Sequence, residues 1–267
     1  MNIDQSITLI KNFIAEQLQA TGLTGYVIGL SGGIDSALSA SLAVAAVGPE
    51  RVLGIIMPYQ SSAPNSQTDA KKLVQKLAID HRIVDISPMI DAYYPEITHD
   101  LRLRAGNKMA RERMSILFDI AHELNCLVLG TGNRTEICLG YTTLHGDAAC
   151  SINPIGELYK TEVRLLAHKM GVPESILTKP PSADLWTDQT DEGEIGVTYD
   201  DIDTILRKII DDQVTSMPSL LETGVREEHI KRVVGLLNRN AFKRNLPPEA
   251  SLGRASIPNH VTLDGSL

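Results

Sequence analysis

A glycine turn between a mostly apolar run and a helix-like stretch constrains the fold more than any other feature of this sequence. The run covers residues 26–30, Ser31-Gly32-Gly33 follows it, and residues 38–47 have the composition of a helix. This order predicts a strand that passes directly into a helix. Adjacent glycines let the backbone approach a ligand closely, and a helix N-terminus carries roughly half a positive charge. The segment therefore predicts an anion-binding loop at a helix N-terminus.

Three further apolar runs recur with helix-length segments between them, at residues 52–57, 82–86 and 126–129. This alternation is typical of a parallel sheet with helices on both faces. Ligands of such sheets collect beyond the carboxyl ends of the strands, where the strand order reverses. We therefore expect Ser31 and Thr131, which follow the first and last runs, to face one crevice.

Helices are predicted on either side of this alternating region. Apolar residues at helical spacing predict a first helix from Asp4 to the break at Gly22, and Ser66 is predicted to cap a helix that runs to Ala78. After the last strand, residues 130–156 and 180–196 predict long functional loops. Residues 198–209 and 225–240 then predict helices added after the sheet.

Composition narrows the function classes. The net charge of −8 argues against a nucleic-acid surface, and no apolar run is long enough to cross a bilayer. The N-terminus lacks the basic start of a secretory signal, so a cytoplasmic protein with no membrane partner is expected. Three dispersed cysteines form no CxxC zinc motif and are expected to be reduced thiols. Residues 1–267 are predicted to form a single domain.

The glycine loop is not a Walker A motif, because no Gly-Lys-Ser/Thr follows its glycines. A lysine that binds phosphate must therefore come from elsewhere in the chain. With Asp35 and Ser36 two and three residues after Gly33, the loop resembles the pyrophosphate-binding loop of the N-type ATP pyrophosphatases. The alternative is an ordinary glycine turn in which Asp35 merely favours the helix N-terminus.

Four further motifs accompany the loop, at residues 130–136 (GTGNRTE), 140–147 (GYTTLHGD), 153–161 (NPIGELYKT) and 181–192 (PSADLWTDQTDE). Together with the loop they resemble the family of ammonia-dependent NAD synthetases, and the match extends to Phe242-Lys243-Arg244. The resemblance implies an α/β fold with a Rossmann-like parallel sheet, of the adenine nucleotide alpha hydrolase type, helices on both faces and added C-terminal helices.

The family resemblance also implies a reaction. ATP, deamido-NAD and ammonia would give NAD, AMP and pyrophosphate through an NAD-adenylate, with Mg²⁺ as cofactor and ATP as co-substrate. The chain is expected to end where the ammonia-dependent form ends and to lack the N-terminal amidase domain of the glutamine-dependent form, so free ammonia or ammonia from a partner is implied. Family members are homodimers with substrate near the interface, so a homodimer is implied.

The residues of this chain that match the family's site fall into three groups. Those implied to bind ATP are Gly29, Leu30, Ser31, Gly32, Gly33, Ile34, Asp35, Ser36, Thr131, Lys160 and Ser182. Asp35 and Glu136 match the magnesium ligands, and Asp35 and Lys160 are the implied catalytic residues. Arg111 and Lys243 match deamido-NAD contacts, with Lys243 reaching across the dimer interface.

Each of these residues also has a plainer interpretation. Glu136 could be a solvated loop charge, Lys160 an exposed lysine at a helix start, and Arg111 part of a solvated basic face. Three positions depart from the commonest family pattern: Leu144 where many members have lysine, Ser151 where many have aspartate, and Phe242 where histidine is frequent.

The segment 183–197 is predicted to close over bound nucleotides and keep water from the adenylate. Its alternative interpretation is a flexible acidic surface loop. Two other functions stay open for the whole chain. One is another N-type ATP pyrophosphatase with a different acceptor, such as a GMP-synthetase-like or tRNA-thiolating enzyme, and the other is a non-catalytic adenine-nucleotide-binding module.

Overall fold

The computed structural model of the chain describes residues 2–182, 190–245, 247, 248 and 250. Its strands are β1 (Tyr26–Gly29), β2 (Val52–Ile56), β3 (Asp80–Ile83) and β4 (Leu127–Val128). Its α-helices are α1 (Ile3–Thr21), α2 (Ile34–Val47), α3 (Pro64–Leu77), α4 (Ser87–Tyr93), α5 (Arg102–Glu123), α6 (Arg134–Leu139), α7 (Lys160–Lys169), α8 (Glu174–Leu177), α9 (Asp191–Ile195), α10 (Tyr199–Leu206), α11 (Met217–Leu221) and α12 (Glu227–Arg239).

The four strands form one parallel sheet in the order β3-β2-β1-β4. The chain builds outward from β1 to β3 and then returns to place β4 on the other side of β1. The strand order therefore reverses between β1 and β4, and a crevice is expected at their carboxyl ends. A bridge between Leu129 and Ile152 extends this edge and brings the segment after residue 152 beside the crevice.

Alternate side chains of the central strands pack into two different cores. Tyr26 and Ile28 pack with α1, α2, α3 and α7 on one face, whereas Val27 packs with α4 and α5 on the other. Because successive strand residues point to opposite faces, both faces of the sheet are covered by helices. A third core joins α6 to the C-terminal helices α10, α11 and α12. The predicted fold class is confirmed.

Two of the differences between the predicted and observed element boundaries have a clear structural reason. The third strand covers residues 80–83 rather than 82–86, because β2 ends at Ile56 and its pairing with β3 stops at Ile83. As an edge strand, β3 tolerates the exposed polar residues Asp80 and His81, which an apolar count overlooks. Helix α3 begins before Ser66, so Ser66 lies in its first turn and is not its cap.

The segments predicted as long loops contain short helices. Residues 130–156 include α6, and residues 190–196 include α9. Helix α6 is not predicted because it is only six residues long and is flanked by glycines and threonines, which are typical of loops. In the part of the chain that the structure describes, no helix is both long enough and apolar enough to span a bilayer.

Candidate active site

Gly32 and two serines shape the loop between β1 and α2. Gly32 has a φ of 75°, and a Cβ placed there would lie 2.2 Å from the carbonyl oxygen of Ser66 in α3. Any side chain would therefore strain the backbone and collide with α3. Ser31 Oγ accepts a hydrogen bond from the Gly33 N–H (3.1 Å), and Ser36 Oγ donates one to the Gly33 carbonyl (3.0 Å). These bonds fix the loop against the first turn of α2.

A cavity of about 510 Å³ lies beyond the carboxyl ends of β1 and β4. Ser31 and Thr131 both line it, as the sequence predicts. The predicted site residues found in its wall are Gly29, Leu30, Ser31, Gly33, Ile34, Asp35, Ser36, Thr131, Glu136, Lys160, Ser182 and Lys243. Gly32 and Arg111 do not line it. The strand-end loops and the first turns of α2 and α7 thus meet in one cavity.

Lys160 connects the two predicted metal ligands. Its side chain is 2% exposed, and its Nζ donates to Asp35 Oδ2 (2.6 Å) and to Glu136 Oε1 (3.1 Å). The Nζ also lies 5.0 Å from the centre of the Tyr199 ring, a cation–π distance. The plainer interpretations, an exposed lysine and a solvated glutamate, do not fit these contacts. Residues far apart in sequence form one buried ionic cluster.

Burial and the neighbouring charges act in opposite directions on this cluster. Burial disfavours the charged ammonium of Lys160, but the carboxylates of Asp35 and Glu136 outweigh this effect and raise its pKa. Burial raises the pKa of the Glu136 carboxyl, and the charge of Asp35 adds to this rise while Lys160 opposes it. The cluster therefore favours the charged form of Lys160 inside the cavity.

Asn133 positions both carboxylates and was missed by sequence reasoning. Its Oδ1 accepts from the Glu136 N–H (3.0 Å), while Glu136 Oε2 accepts from the Asn133 N–H (3.3 Å). This reciprocal capping box opens α6. The Asn133 Nδ2 donates to Asp35 Oδ1 (2.8 Å), which links α6 to α2. An asparagine three residues before a glutamate is the sequence signal that could have identified this cap.

The donor set fits a magnesium ion if phosphate oxygens complete it. Asp35 and Glu136 present carboxylate oxygens to the same point, now held by Lys160 Nζ. Mg²⁺ favours one or two carboxylates together with phosphates and water. Among the residues described here, no group of three or more His, Cys, Asp or Glu side chains could hold a metal alone. While the Lys160 ammonium occupies this point, a magnesium ion there would therefore depend on a bound nucleotide.

Two more basic residues line the cavity and were also missed. Lys179 Nζ donates to Ser66 Oγ (2.7 Å) beside the glycine loop. Arg113 Nε donates to the carbonyl oxygen of Met57 (3.1 Å) at the end of β2. Sequence spacing gave no signal for either residue, because their position depends on how α5 and the segment after α8 pack against the sheet. Positive charge thus faces the cavity from several elements.

Arg111 and Lys243 differ in their relation to the cavity. Arg111 is exposed on α5, and its Nε donates to the Leu144 carbonyl (3.2 Å). Lys243 Nζ donates to the carbonyls of Gly140 and Thr142, both at 2.8 Å, at the cavity wall. Burial lowers the pKa of Lys243. Deamido-NAD binding by either residue stays a prediction.

The three residues that depart from the family pattern have separate surroundings. Ser151 Oγ accepts from the Val128 N–H (3.0 Å) and so caps the edge of β4. Phe242 is 62% exposed, and Leu144 is half-buried. The predicted closing segment 183–197 lies partly outside the described residues, which resume at Thr190, where the side chain caps α9.

Comparison with known proteins places this architecture in one family. The NAD synthase family model matches residues 6–247. An NH₃-dependent NAD⁺ synthetase from Fusobacterium nucleatum is 44% identical over 95% of this chain and 98% of its own length. A protein of the same name from Methanosarcina mazei is 44% identical over 94% of this chain and 100% of its own.

Solved structures agree with these sequence matches. An NH₃-dependent NAD synthetase from Campylobacter jejuni has a TM-score of 0.78 at 32% identity, covering 94% of this chain and all of its own. An NMN synthetase from Francisella tularensis has a TM-score of 0.80 at 34% identity, covering 97% of this chain and all of its own. These matches confirm the predicted function in NAD synthesis: the chain belongs to the NAD synthase family.

Proposed function

We propose that the chain amidates deamido-NAD with ammonia and cleaves ATP to AMP and pyrophosphate. The observation that carries this proposal is the cluster of Lys160, Asp35 and Glu136 beside the glycine loop in one cavity. A loop at a helix N-terminus accommodates phosphate, and a buried lysine supplies the cation that the loop lacks. The sequence and structural relatives named for ammonia-dependent NAD synthesis support the same reaction.

The first step activates a carboxylate that cannot lose oxide directly. The nicotinate carboxylate of deamido-NAD attacks the α-phosphorus of ATP, the bond to the β-phosphate oxygen breaks, and pyrophosphate leaves. The carboxylate is ionised at neutral pH, so this step needs alignment and charge neutralisation rather than a general base. The backbone N–H groups of the glycine loop and the ammonium of Lys160 supply both.

The site also fits Mg²⁺, which we propose is held by Asp35 and Glu136 with the phosphates. A bound magnesium ion would neutralise phosphate charge. Lys160 would then move from the two carboxylates to the leaving pyrophosphate. Its position on the first residue of α7 leaves a flexible four-carbon side chain for that movement.

The second step joins ammonia to the activated carbonyl. The ammonia nitrogen attacks the carbonyl carbon of the adenylate, AMP leaves with the bridging oxygen, and the nitrogen loses a proton to give the amide. Water attacking the same carbon would return deamido-NAD, so the site must exclude water. We propose that residues 183–197 provide this exclusion when both nucleotides are bound.

Further features of this proposal rest on the family resemblance. We propose that residues 1–267 act as one catalytic domain, that the protein is a homodimer in the cytoplasm, and that Arg111 and Lys243 contact deamido-NAD. The exposed position of Arg111 on α5 is compatible with a contact completed by a second subunit.

The direct test follows both half-reactions. Pyrophosphate release from Mg-ATP is measured with deamido-NAD alone and then with ammonium, while NAD formation is followed in parallel. We expect release to depend on deamido-NAD, and NAD to form only when ammonium is present. Release without any dependence on deamido-NAD would contradict the proposal and point to a different acceptor.

A second acceptor belongs in the same assay. The structural match to an NMN synthetase, at a TM-score of 0.80, makes nicotinate mononucleotide a candidate for the same amidation. Both acceptors carry the reacting carboxylate, but only deamido-NAD carries the additional AMP half. The ratio of their kcat/KM values decides between them, and we expect deamido-NAD to be preferred.

The predicted metal ligands give a mutational test. We expect Asp35→Asn and Glu136→Gln to lower kcat by about 10²-fold, because each removes a proposed ligand of the magnesium ion that would neutralise the reacting phosphates. Neither side chain belongs to an apolar core, so the thermal midpoint should stay close to that of the wild-type protein while kcat falls. Steady-state kinetics and thermal melting measure the two effects.

Glu157→Gln is the matched control, since Glu157 is exposed on the loop that precedes Lys160. It should keep the wild-type rate. Wild-type kcat in Asp35→Asn or Glu136→Gln would contradict the assignment of these carboxylates.

A further inference from the structure

One carboxylate outside the cavity is bonded to two of the three helices that carry the ionic cluster, α6 and α7. Asp203 of α10 is fully buried. Its Oδ1 accepts from the Thr135 hydroxyl (2.5 Å), and its Oδ2 accepts from the Thr161 N–H (2.8 Å). Thr135 is the second residue of α6 and Thr161 the second residue of α7. Asp203 therefore joins the first turns of two helices that residues 140–159 separate in the sequence.

The Thr135 hydroxyl extends this link to the backbone of Lys160. Its Oγ1 accepts from the Lys160 N–H (2.9 Å) while it donates to Asp203. A hydroxyl can do both at once, since it has one proton and two lone pairs. The chain of bonds runs from Asp203 through Thr135 to the residue that carries the ammonium.

The two cluster residues are the immediate neighbours of these anchors. Glu136 follows Thr135 in α6, and Lys160 precedes Thr161 in α7. The Nζ of Lys160 and the Oε1 of Glu136 are 3.1 Å apart. A shift between the two helix starts would change this distance directly. Asp203 itself is not part of the cavity wall.

We propose that Asp203 is a positioning residue that fixes the start of the Lys160 helix relative to the start of the Glu136 helix. It acts through Thr135 and the Thr161 N–H and makes no contact with substrate. A carboxylate suits this task, because its two oxygens accept the Thr135 hydroxyl in the first turn of α6 and the Thr161 N–H in the first turn of α7 at the same time. This inference rests on the proposed roles of Lys160 and Glu136.

The same helix supports the ammonium from a second direction. Tyr199 begins α10, its ring faces Lys160 Nζ, and its hydroxyl donates to Asp191 Oδ2 (3.0 Å). Helix α10 thus contacts the side chain of Lys160 directly through Tyr199 and reaches its backbone N–H through Asp203 and Thr135. A helix outside the sheet controls the geometry of the predicted catalytic lysine.

The test compares a pair of substitutions at Thr135. Thr135→Ser keeps the hydroxyl, whereas Thr135→Val has nearly the same shape and removes it. We expect Thr135→Val to lower kcat for deamido-NAD-dependent pyrophosphate release by about 10- to 100-fold, the effect of a misplacement on the order of 1 Å. Thr135→Ser should keep most of the wild-type rate. The KM for ATP should change by less than about threefold, since the glycine loop is untouched.

Asp203→Asn provides the second variant. An asparagine can still accept from the Thr161 N–H, but its amide would donate to Thr135 Oγ1 and reverse that bond. We expect the same fall in kcat at saturating substrates. Asp201→Asn is the matched control on the same helix, because Asp201 bonds to His229 on α12 and not to α6 or α7.

The effect of a less stable protein on kcat must be separated from the effect of a misplaced Lys160. Val233→Ala removes a buried side chain from the same C-terminal core but removes none of the groups that hydrogen-bond to Thr135 or Asp203. At a temperature well below every midpoint, Val233→Ala should keep the wild-type kcat even if its midpoint falls as far as that of Thr135→Val. Calorimetric titration with a non-hydrolysable ATP analogue and Mg²⁺ should give similar Kd values for all variants.

Two results would overturn the inference. One is a folded Thr135→Val or Asp203→Asn enzyme with kcat within twofold of wild type. The other is an equal loss of kcat in Val233→Ala at the same fall in midpoint. If Asp203→Asn does not fold, the Thr135 pair decides alone. Failure of the proposed function is distinguishable, because the wild-type protein would then release no pyrophosphate in response to deamido-NAD.

Discussion

Replacing Lys160 with methionine is expected to lower kcat/KM for ATP by about 10²- to 10³-fold, the effect of removing one preorganised charge from a transition state. Methionine keeps most of the side-chain volume and loses the ammonium. The negative charge that develops on departing pyrophosphate would then lack its buried cation. Steady-state kinetics of pyrophosphate release measures the loss.

The same substitution should also affect stability. Lys160 is 2% exposed, and its removal leaves the carboxylates of Asp35 and Glu136 facing each other without their shared cation. Breaking a buried ion pair by removing one partner costs up to about 3–5 kcal/mol, and the partial exposure of both carboxylates places the expected cost at the lower end, about 3 kcal/mol. Urea unfolding at neutral pH measures this cost.

Lys169→Met is the matched control on the same helix. Lys169 is half exposed and pairs with Asp4 at 2.9 Å. An exposed pair of this kind contributes about 0–1 kcal/mol, so the variant should keep its rate and nearly all its stability. Equal rates in Lys160→Met and Lys169→Met would contradict the role of Lys160.

The Lys160→Met variant also tests the magnesium assignment. Because the Lys160 ammonium occupies the point between the two carboxylates, its removal frees both for a cation. Mg²⁺ without nucleotide should therefore raise the thermal midpoint of Lys160→Met more than that of the wild-type protein. An equal response of both proteins would count against Asp35 and Glu136 as ligands of one ion.

Patterns within short segments made most of the fold predictable. The strand, glycine turn and helix at residues 26–47 are encoded locally, and the apolar runs placed β1, β2 and β4 to within two residues. The third strand was displaced because an edge strand is defined by its pairing with β2, which residues 80–83 do not reveal in isolation. Helix α6 was missed because six residues give too short a pattern.

The motifs identified the members of the candidate site but not their mutual contacts. Asp35, Glu136 and Lys160 were each predicted, yet their buried cluster depends on how α2, α6 and α7 converge at the sheet edge. For Asp203, the only sequence signal was its position on the apolar face of a predicted helix. Arg111 was predicted and Arg113 was not, although only Arg113 lines the cavity. Residues two apart on a helix face different directions, and tertiary packing decides which one faces the site.

Replacing Gly32 with alanine is expected to abolish ATP-dependent activity. The added Cβ would lie 2.2 Å from the Ser66 carbonyl oxygen, which is backbone and cannot rotate away. The positive φ of Gly32 adds strain of about 1–3 kcal/mol for a residue with a side chain. The loop must therefore move away from α3, and its N–H groups would lose their aim at the phosphates. Calorimetric titration with Mg²⁺ and a non-hydrolysable ATP analogue should show a loss of binding.

Gly22→Ala separates this collision from backbone strain. Gly22 ends α1 with a φ of 67°, and nothing lies within 4 Å of a Cβ placed there. The control therefore carries the cost of a left-handed residue without any clash, about 1–3 kcal/mol. It should lose a little stability and keep full nucleotide binding. If Gly32→Ala also kept nucleotide binding, phosphate binding would not depend on the close packing of this loop against α3. The assignment of the glycine loop as the phosphate-binding element would then be wrong.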